Sequence, residues 1–403
     1  MLTYEQARNE IRNQLAVPKR AITVVTLPIQ DALGYVLAEN LSADRDYPPF
    51  HRSTRDGYAV CAAEAQSGAS LLCAGELKAG DNSTSALAAN TCIQIMTGAA
   101  IPPGADAVVM IEHTTREADT VHFKQNAVAA QNIVPQGSEA KKNDVLLTAG
   151  TKLGYAELSL AAQIGAVALR CAKKPRVAIL STGDEVVPVD STPGPFQIRN
   201  SNSVSLAAQI EEVGGEPVAL GNAADQPETL RKNIRRGLEE DILVLSGGVS
   251  MGKYDLVEDV LQEFQAEIIF DAVAIRPGKP AVFAMREGKP IFGLPGNPIS
   301  TMVTFNLFVA PAIALLSGAD MPPLPFLKAA LAEPLQEKPG MTHFLPAVIA
   351  WKNGAASVRA LSWKGSGDTA AMAKANCFLV VPAEVATLSP GESVNVWMRK
   401  DAL

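Results

Sequence analysis

The chain has 403 residues, of which 47% are hydrophobic and 5% aromatic. This length predicts two to four domains with aliphatic cores. A formal net charge of −7 argues against a general nucleic-acid or anionic-membrane binder, but it leaves room for a local basic pocket that binds a small anion.

The cysteines and histidines limit the redox and metal chemistry. The five scattered cysteines form no CxxC pair, which indicates free thiols in a reducing, cytoplasmic compartment. The four histidines lack metal-ligand spacing. A metal, if present, should therefore be a hard cation such as Mg²⁺, held by carboxylates and substrate oxygens.

The first 173 residues mix helices with short strands. An N-terminal helix should end near Pro18, with Thr3 and Gln6 as its capping box, and it does not resemble a signal peptide. A strand over 22–27 and a small helix over 29–38 follow. The short β-like runs between residues 60 and 137 predict an all-β module. A strand over 145–147 and a helix over 155–163 complete this part.

Strands and helices alternate from residue 176 onward, which predicts a doubly wound parallel sheet. The predicted strands cover 176–180, 217–220, 242–245, 268–275, 281–285 and 291–294, and the helices cover 203–213, 227–238 and 256–264. The apolar stretch 299–316 is long enough to span a membrane. Its internal polar residues, such as Ser300 and Asn306, favour a buried helix instead. The β-rich segment 326–403 predicts a small barrel.

The stretch 241–259, DILVLSGGVSMGKYDLVED, runs from a buried strand through two glycines into a helix. Glycines at that position place unhindered backbone N–H groups at the carboxyl edge of a sheet, where open α/β sheets bind ligands. The alternative is that the glycines only make a tight turn. Three further loops, after residues 180, 220 and 275, should reach the same edge.

These loops supply carboxylates, glycine backbone, and Arg and Lys. Together they suit a divalent cation and a phosphate or another anion. Taken singly, Asp225 and Asp255 are better explained as helix caps. The sequence lacks a GxxxxGK[ST] loop, a GxGxxG loop after a strand and a GxSxG elbow.

Seven motifs in order resemble those of the MoeA family, the molybdopterin molybdenumtransferases (molybdate insertases), which are homologous to the gephyrin E domain. The resemblance covers essentially the whole chain. The motifs are Ser53-Thr54-Arg55-Asp56-Gly57-Tyr58-Ala59, Thr97-Gly98-Ala99, Ser181-Thr182-Gly183-Asp184-Glu185, Ser246-Gly247-Gly248-Val249-Ser250, Arg276-Pro277-Gly278-Lys279-Pro280, Pro295-Gly296-Asn297-Pro298-Ile299-Ser300 and Gly365-Ser366.

The resemblance implies a reaction in which adenylylated molybdopterin and molybdate, with Mg²⁺, give molybdenum cofactor and AMP. It implies catalytic roles for Asp56, Thr97, Glu185, Asp255 and Lys279. It places the metal on Asp184, Glu185, Asp225 and Asp255. The implied substrate-binding residues are Gly183, Asp184, Asp225, Ser246, Gly247, Gly248, Ser250, Arg276, Pro280, Ser300, Lys364 and Ser366.

The family also implies an architecture and partners. The predicted fold is α/β and multidomain, with a central doubly wound molybdopterin-binding-type domain. The domains would be 1–20 with 174–320 (α/β), 21–46 with 138–173 (linking), 47–137 (projecting β module) and 321–403 (barrel). A homodimer is expected, with the upstream molybdopterin adenylyltransferase and downstream molybdoenzymes as partners, and without nucleic acid or membrane.

Three positions depart from the family pattern. Pro346 stands where an arginine of the molybdate site is usual, and Lys364 is a candidate replacement for the missing charge. Arg276 stands where lysine is usual, and Glu139 where aspartate is usual.

Two other functions were weighed against molybdate insertion. The first is the adenylyltransferase, a single short domain whose loop resembles Gly-Gly-Thr-Gly, whereas this chain has Gly-Gly-Val-Ser and further modules. The second is a catalytically weakened paralogue that acts as a molybdopterin-binding or scaffold protein.

Overall fold

A computed structural model describes residues 1–16, 22–81, 85–223, 226–248, 256–399 and 401. Asp225, Ser250 and Asp255, three of the predicted site residues, lie outside these ranges. The helices within them are α1 Tyr4–Ala16, α2 Tyr155–Gln163, α3 Ser201–Val213, α4 Pro227–Gly237, α5 Leu256–Glu263, α6 Pro298–Leu316 and α7 Thr369–Lys374.

The central sheet has six strands, in the spatial order Glu216–Ala223, Arg176–Thr182, Ile242–Ser246, Lys289–Leu294, Val282–Arg286 and Glu267–Phe270. The first four are parallel, as predicted. The fifth strand, Val282–Arg286, runs antiparallel to both of its neighbours. Glu287 and Gly288 both have positive φ, which is the signature of a two-residue hairpin loop that reverses the chain.

Helices cover both faces of this sheet. Along the strand Arg176–Thr182, Val177 and Ile179 face a core shared with α1, α3 and α6, while Ala178 and Leu180 face a core shared with α4 and α5. This alternation follows from the two-residue period of a strand. The layered α/β architecture predicted from the sequence is therefore confirmed.

The predicted strand over 268–275 is wrong. The chain forms Glu267–Phe270 in the central sheet and a separate short strand, Ile275–Arg276, which pairs in parallel with Thr342–His343 of the C-terminal region. The loop that carries Arg276 and Lys279 thus does not leave a strand of the central sheet. It still reaches the carboxyl edge, because it enters the antiparallel strand Val282–Arg286, whose first residue pairs with Gly293.

Residues 47–137 contain a six-stranded sheet with its own apolar core. Its strands, in spatial order, are Ala107–Met110, Gly57–Val60, Thr91–Ile95, Ser70–Leu77, Thr120–Phe123 and Thr114–Glu117. Most of its pairs are antiparallel, but Ser70–Leu77 and Thr91–Ile95 run parallel. We call this part of the chain the β module.

Two separated segments meet beside the β module. Val24–Pro28 pairs with Ala168–Ala172, and Leu41–Ser42 pairs with Val145–Leu147. The predicted helix over 29–38 is wrong: only a 3-10 turn at Ile29–Asp31 forms. Gly34 then takes a positive φ and the following residues make β-bridges instead. The boundaries of the four domains remain predictions.

The C-terminal region forms a closed five-stranded barrel, as predicted. Its strands are Phe326–Leu331, Thr342–Lys352, Ala355–Ala360, Cys377–Val381 and Ser393–Met398, and the second of them pairs with the fourth to close the ring. Two short pairs lie outside these sheets: Leu335–Gln336 with Thr387–Leu388, and Val186–Val187 with Ile198–Arg199. The remaining short strands, Arg52–Ser53 and Ile133–Val134, pair with each other.

Helix α6 is long and apolar enough to cross a membrane. In the structure, 67% of its most apolar window is buried inside the protein. A π-helical segment, Phe305–Val309, interrupts it, and Phe305, Leu307 and Phe308 join the core under the central sheet. Its placement confirms the prediction of a buried helix.

Candidate active site

Two adjoining cavities lie at the carboxyl edge of the central sheet. The glycine cavity, of about 380 Å³, is lined by the loops after residues 180 and 245 and by the start of α3. The basic cavity, of about 390 Å³, is lined by the loop 275–280, the start of α6, and Trp363, Gly365 and Ser366. Both are bordered by Pro280, Pro295 and Asn297. The site motifs after residue 180 therefore converge on one region.

The double glycine is required by the geometry of the glycine cavity. Gly247 has a φ of +94°, and a Cβ there would lie 2.8 Å from the carbonyl oxygen of Thr182. Its N–H donates to the carbonyl of Leu294, at 3.1 Å. Any side chain at residue 247 would therefore be strained and would collide with the neighbouring strand. Gly248 also has a positive φ and lines the cavity.

Asparagines at the start of α3 complete the glycine cavity. Asn202 Nδ2 donates to Ser246 Oγ at 2.9 Å and to the carbonyl of Gly296 at 2.7 Å, which joins two site loops. Asn200 accepts a hydrogen bond from the N–H of Ser203 and so caps α3. Sequence analysis missed both asparagines. Their signal was the Asn-Ser-Asn-Ser run before an apolar helical pattern.

Some polar atoms of this cavity have no protein partner. Thr182 Oγ1 and Asn202 Oδ1 are buried and make no hydrogen bond within the part of the chain that the structure describes. Thr182 is only 4% exposed. Buried polar atoms without partners are costly, so these atoms are suited to hydrogen-bond a ligand.

The basic cavity brings together four of the predicted molybdate-site residues: Arg276, Lys279, Ser300 and Ser366. Arg276 and Lys279 are exposed, whereas Ser300 is buried in the first turn of α6. The carbonyl of Ser366 accepts the N–H of Ile299 and so ties this loop to the start of the helix. Two cations, two hydroxyls and a helix N-terminus suit a small, multiply charged anion.

Of the four predicted metal ligands, Asp184 and Glu185 lie within the described residues. Asp184 and Glu185 are exposed on the loop after the strand Arg176–Thr182, and Glu185 lines the glycine cavity. A Cβ on Gly183 would lie 2.6 Å from Glu185 Oε2, so this carboxylate is folded over its own loop. Among the described residues, no group of three His, Cys, Asp or Glu side chains could hold a metal ion. The metal set remains a prediction.

Asp56 and Thr97 form a pair in the β module. Both the N–H and the Oγ1 of Thr97 donate to Asp56 Oδ1 at 2.7 Å. These two hydrogen bonds hold the pKa of the Asp56 carboxyl below its usual value. Neither residue is among those that line the glycine and basic cavities in the described part of the chain.

Neither Pro346 nor Lys364, the candidate replacement for its missing charge, is among the residues that line the basic cavity. Pro346 is buried in the strand Thr342–Lys352, where it pairs with Phe378. Lys364 is exposed, and its N–H donates to Asp368 Oδ2 at 3.0 Å. Its neighbours in sequence, Trp363 and Gly365, line the cavity.

The third departure, Glu139, accepts a hydrogen bond from Arg52 Nη2 at 2.7 Å. This ion pair joins the short strand Arg52–Ser53 to the segment that follows the β module. Glu139 is remote from both cavities in sequence and lines neither of them.

A third cavity, of about 420 Å³, lies between α1, α3, α6 and the barrel. Its walls are mainly apolar, with Met302, Pro323 and Trp397 among them. None of the motifs singled out in the sequence reaches it. We therefore place the active site at the glycine and basic cavities.

The fold and the two adjoining cavities define a multidomain α/β protein with a ligand site at the carboxyl edge of its central sheet. Three family models match the chain: "MoeA N-terminal region (domain I and II)" over 2–165, "Probable molybdopterin binding domain" over 178–315 and "MoeA C-terminal region (domain IV)" over 328–398. The chain belongs to the MoeA family of molybdopterin molybdenumtransferases.

Individual relatives agree with this assignment. The molybdopterin molybdenumtransferase of Haemophilus influenzae is 34% identical over 400 residues, covering 98% of each chain. That of Staphylococcus epidermidis is 32% identical over 381 residues, covering 92% of this chain and 90% of the relative. A solved moeA protein of Pyrococcus horikoshii OT3 has a TM-score of 0.82 at 27% identity, covering 99% of this chain and 100% of that structure.

Proposed function

We propose that this protein inserts molybdate into adenylylated molybdopterin and releases AMP, as a step in molybdenum cofactor biosynthesis. The observation that supports this most is the adjacency of a glycine-lined polar cavity and a basic cavity at one sheet edge. The first suits a pterin nucleotide with its phosphates. The second suits a tetrahedral dianion that must reach the same molecule.

The basic cavity would hold molybdate. Arg276 and Lys279 balance its two negative charges, and the hydroxyls of Ser300 and Ser366 donate neutral hydrogen bonds. Because Ser300 and Ile299 lie in the first turn of α6, the helix dipole adds to the attraction. Arg276 presents a planar guanidinium where the family usually has an ammonium group, and it can bind two oxyanion oxygens at once.

The glycine cavity would hold the pterin nucleotide. Gly247 and Gly248 let backbone N–H groups approach phosphate oxygens closely, since no Cβ stands in the way. Thr182 Oγ1 and Asn202 Oδ1 are free to bond polar groups of the ligand. Pro280 borders both cavities and would lie between the two substrates.

Mg²⁺ would be held jointly by the protein and the substrate, because the described residues alone supply no complete ligand set. Asp184 and Glu185 would hold it, together with Asp225 and Asp255 and with phosphate oxygens of the substrate; such mixed ligation is usual for Mg²⁺. When bound, it would neutralise charge that develops on the phosphoanhydride as AMP leaves.

The rival function, a weakened paralogue that acts as a scaffold, is not favoured. The relatives that cover almost the whole chain are named as transferases. The one feature that still favours the scaffold function is Pro346, because it stands where the family usually has an arginine of the molybdate site.

The test is a molybdate titration under anaerobic conditions. The purified protein is mixed with adenylylated molybdopterin and Mg²⁺, and AMP release and active cofactor are followed together. Saturable, molybdate-dependent release is the expected result. Tight pterin binding without AMP release, even at high molybdate, would overturn the proposal, and the Pro346→Arg variant would then show whether the lost arginine is the cause.

We expect Lys364 to replace the charge that Pro346 lacks. Lys364→Ala should raise the molybdate concentration for half-saturation about tenfold, since one charge-assisted contact to an anion is lost. Pterin binding should stay within about twofold. Lys352→Ala, which removes an exposed lysine at the end of the same barrel strand as Pro346, is the control. An unchanged molybdate dependence in Lys364→Ala would contradict this role.

We also propose that the active unit is a homodimer in which the β module of one protomer completes the site of the other. The Asp56–Thr97 pair is exposed and has its geometry already set, yet it borders neither cavity of its own chain. A symmetric dimer can bring it to the partner's cleft.

Complementation tests the shared site. Asp56→Asn and Lys279→Met should each be inactive. After the two are unfolded together and refolded, about half of the dimers are mixed, and each mixed dimer has one intact site, so about a quarter of the wild-type activity should return. Separately refolded variants are the control. If Asp56 serves its own chain, the mixture stays inactive.

The remaining expectations concern the cell. The free thiols and the negative net charge fit a cytoplasmic protein. The upstream adenylyltransferase would supply the adenylylated pterin, and molybdoenzymes would receive the finished cofactor. Co-purification with these two classes of protein is the corresponding measurement.

A further inference from the structure

Two cysteines of the β module stand side by side on neighbouring strands. Cys73 and Cys92 are register partners in the parallel ladder of Ser70–Leu77 and Thr91–Ile95. Adjacent strands lie about 4.7–4.9 Å apart, which falls within the Cα separation that a disulfide spans. Both side chains belong to the apolar core of the module.

The two thiols differ in exposure. Cys73 is partly exposed and its Sγ donates to the carbonyl of Gly75 at 3.4 Å, whereas Cys92 is fully buried. Burial, with the neighbouring Cys73 thiol as a further contributor, raises the pKa of Cys92 to about 12.

Arg116 lies in the strand Thr114–Glu117, just before the turn that borders Cys73. Its Nε donates to the carbonyl of Ala118 and its Nη1 to Gln94 Oε1, while the carbonyl of Asp119 accepts the N–H of Cys73 at 2.7 Å. Attraction to the Cys73 sulfur is the largest cause of the raised pKa of Arg116. A partly exposed thiol beside a cation, with a second thiol within reach, is the arrangement of redox-sensing cysteine pairs.

We propose that Cys73 and Cys92 form a reversible disulfide when the protein meets a peroxide, with Cys73 as the attacking thiol and Cys92 as the resolving thiol. The Cys73 thiolate attacks one peroxide oxygen; an S–O bond forms, the O–O bond breaks and the first water leaves. The Cys92 sulfur then attacks the Cys73 sulfur; the S–S bond forms, the S–O bond breaks, and the Cys92 proton leaves with the second water. Two thiols are oxidised and one peroxide is reduced.

The high pKa of Cys92 sets the order of events. Because little of Cys92 is thiolate at neutral pH, its attack on the Cys73 sulfur is slowed. The sulfenic acid of Cys73 should therefore accumulate before the disulfide forms. The strand Thr91–Ile95 ends two residues before Thr97, so the cross-link would fix the strand that precedes one member of the proposed catalytic pair.

To test the proposal, the protein is treated with hydrogen peroxide, and the state of each thiol is then mapped. The number of free thiols, counted after denaturation, should fall from five to three, because the disulfide consumes two. Trypsin places Cys73 in the peptide 56–78 and Cys92 in the peptide 79–116, so the disulfide appears as a linked pair of peptides that dithiothreitol separates. A trap for sulfenic acid, dimedone, should label Cys73 at early times.

Matched variants assign the link. Cys61 shares the peptide 56–78 with Cys73 and is also partly exposed, so Cys61→Ser is the control that should keep the linked peptides. Cys73→Ser and Cys92→Ala should abolish them, and Arg116→Gln should slow their formation severalfold. Cys73→Ser changes a partly exposed residue, so the test does not depend on the buried variant folding.

Two results would overturn the proposal. One is the absence of linked peptides after the Cys73 sulfenic acid has formed and decayed. The other is a link that survives Cys73→Ser but disappears in Cys61→Ser.

Discussion

The charge of Asp56 is stabilised by one neighbour. Two hydrogen bonds from Thr97 favour the ionised carboxylate, so its pKa is lower in the folded protein than in the unfolded chain. Such a depressed pKa adds stability that is fully present above the unfolded value of about 4 and is lost as the pH falls through the folded value. At neutral pH the side chain can accept hydrogen bonds but cannot donate a proton.

Asp56→Asn should therefore act on turnover and leave neutral-pH binding intact. We expect AMP release to fall about a hundredfold, as for the loss of a positioned acid–base group. The decline in melting temperature below about pH 4 should become shallower than in the wild type. Asp81→Asn, which alters another exposed aspartate that accepts a backbone N–H in the β module, is the control for both measurements. Equal activity of the two variants would contradict a catalytic role.

Single residues also show which parts of the candidate site can be predicted from the sequence. Gly247 and Gly248 were identified because glycine after a strand has a recognisable spacing, and the structure supplies the reason in the contact with Thr182. Asn202 was not identified. Its role depends on two loops, at Ser246 and Gly296, that are remote in sequence and meet only in the folded protein.

Helix α3 is joined to the central sheet through its N-cap residue, Asn200. Asn200 caps the helix, is only 9% exposed and donates from Nδ2 to Ser181 Oγ at 3.0 Å. Removing its side chain leaves both a helix N–H and a buried hydroxyl without partners.

We expect Asn200→Ala to lower the free energy of unfolding by about 2 kcal/mol, measured by urea denaturation. Asp368→Ala, which removes the cap of the short surface helix α7, should cost about 1 kcal/mol or less. A smaller loss for Asn200→Ala than for Asp368→Ala would show that the link to Ser181 contributes nothing.

At the level of elements, regular alternation predicted most helices and strands, and tertiary pairing decided the exceptions. The segment 29–38 has an apolar helical pattern, yet Val36 and Leu37 pair with Lys152 and Cys171, far along the chain. The strand Ile275–Arg276 likewise belongs to a partner in the barrel. Pairings over more than a hundred residues, or between domains, leave no local periodicity.

The whole molecule is held together where the barrel meets the α/β core. Phe344 is fully buried, with its ring 5.6 Å from that of Tyr4 in α1 and 5.8 Å from that of Trp397 at the end of the barrel. It belongs to the large core under the central sheet and not to the barrel interior.

Phe344→Ala should lower the free energy of unfolding by about 3–5 kcal/mol, the usual cost of deleting a buried phenylalanine. The control is Trp351→Ala, an aromatic residue of the same strand that is 57% exposed and should change stability by about 0.5 kcal/mol or less. Thermal melts of both variants give the comparison. If Phe344→Ala unfolds like the wild type, the two cores are held together elsewhere.

The junction at Phe344 also fixes when this protein can finish folding during its synthesis. Helix α1 leaves the ribosome first, but its contacts come from the far end of the chain: Leu2 bridges Val273, Tyr4 packs on Phe344, and Arg8 donates to the carbonyl of Pro322. While those segments are still being translated, the apolar side of α1 has nothing to pack against. The nascent chain therefore carries an uncovered helix until the segments from Val273 to Phe344 have emerged.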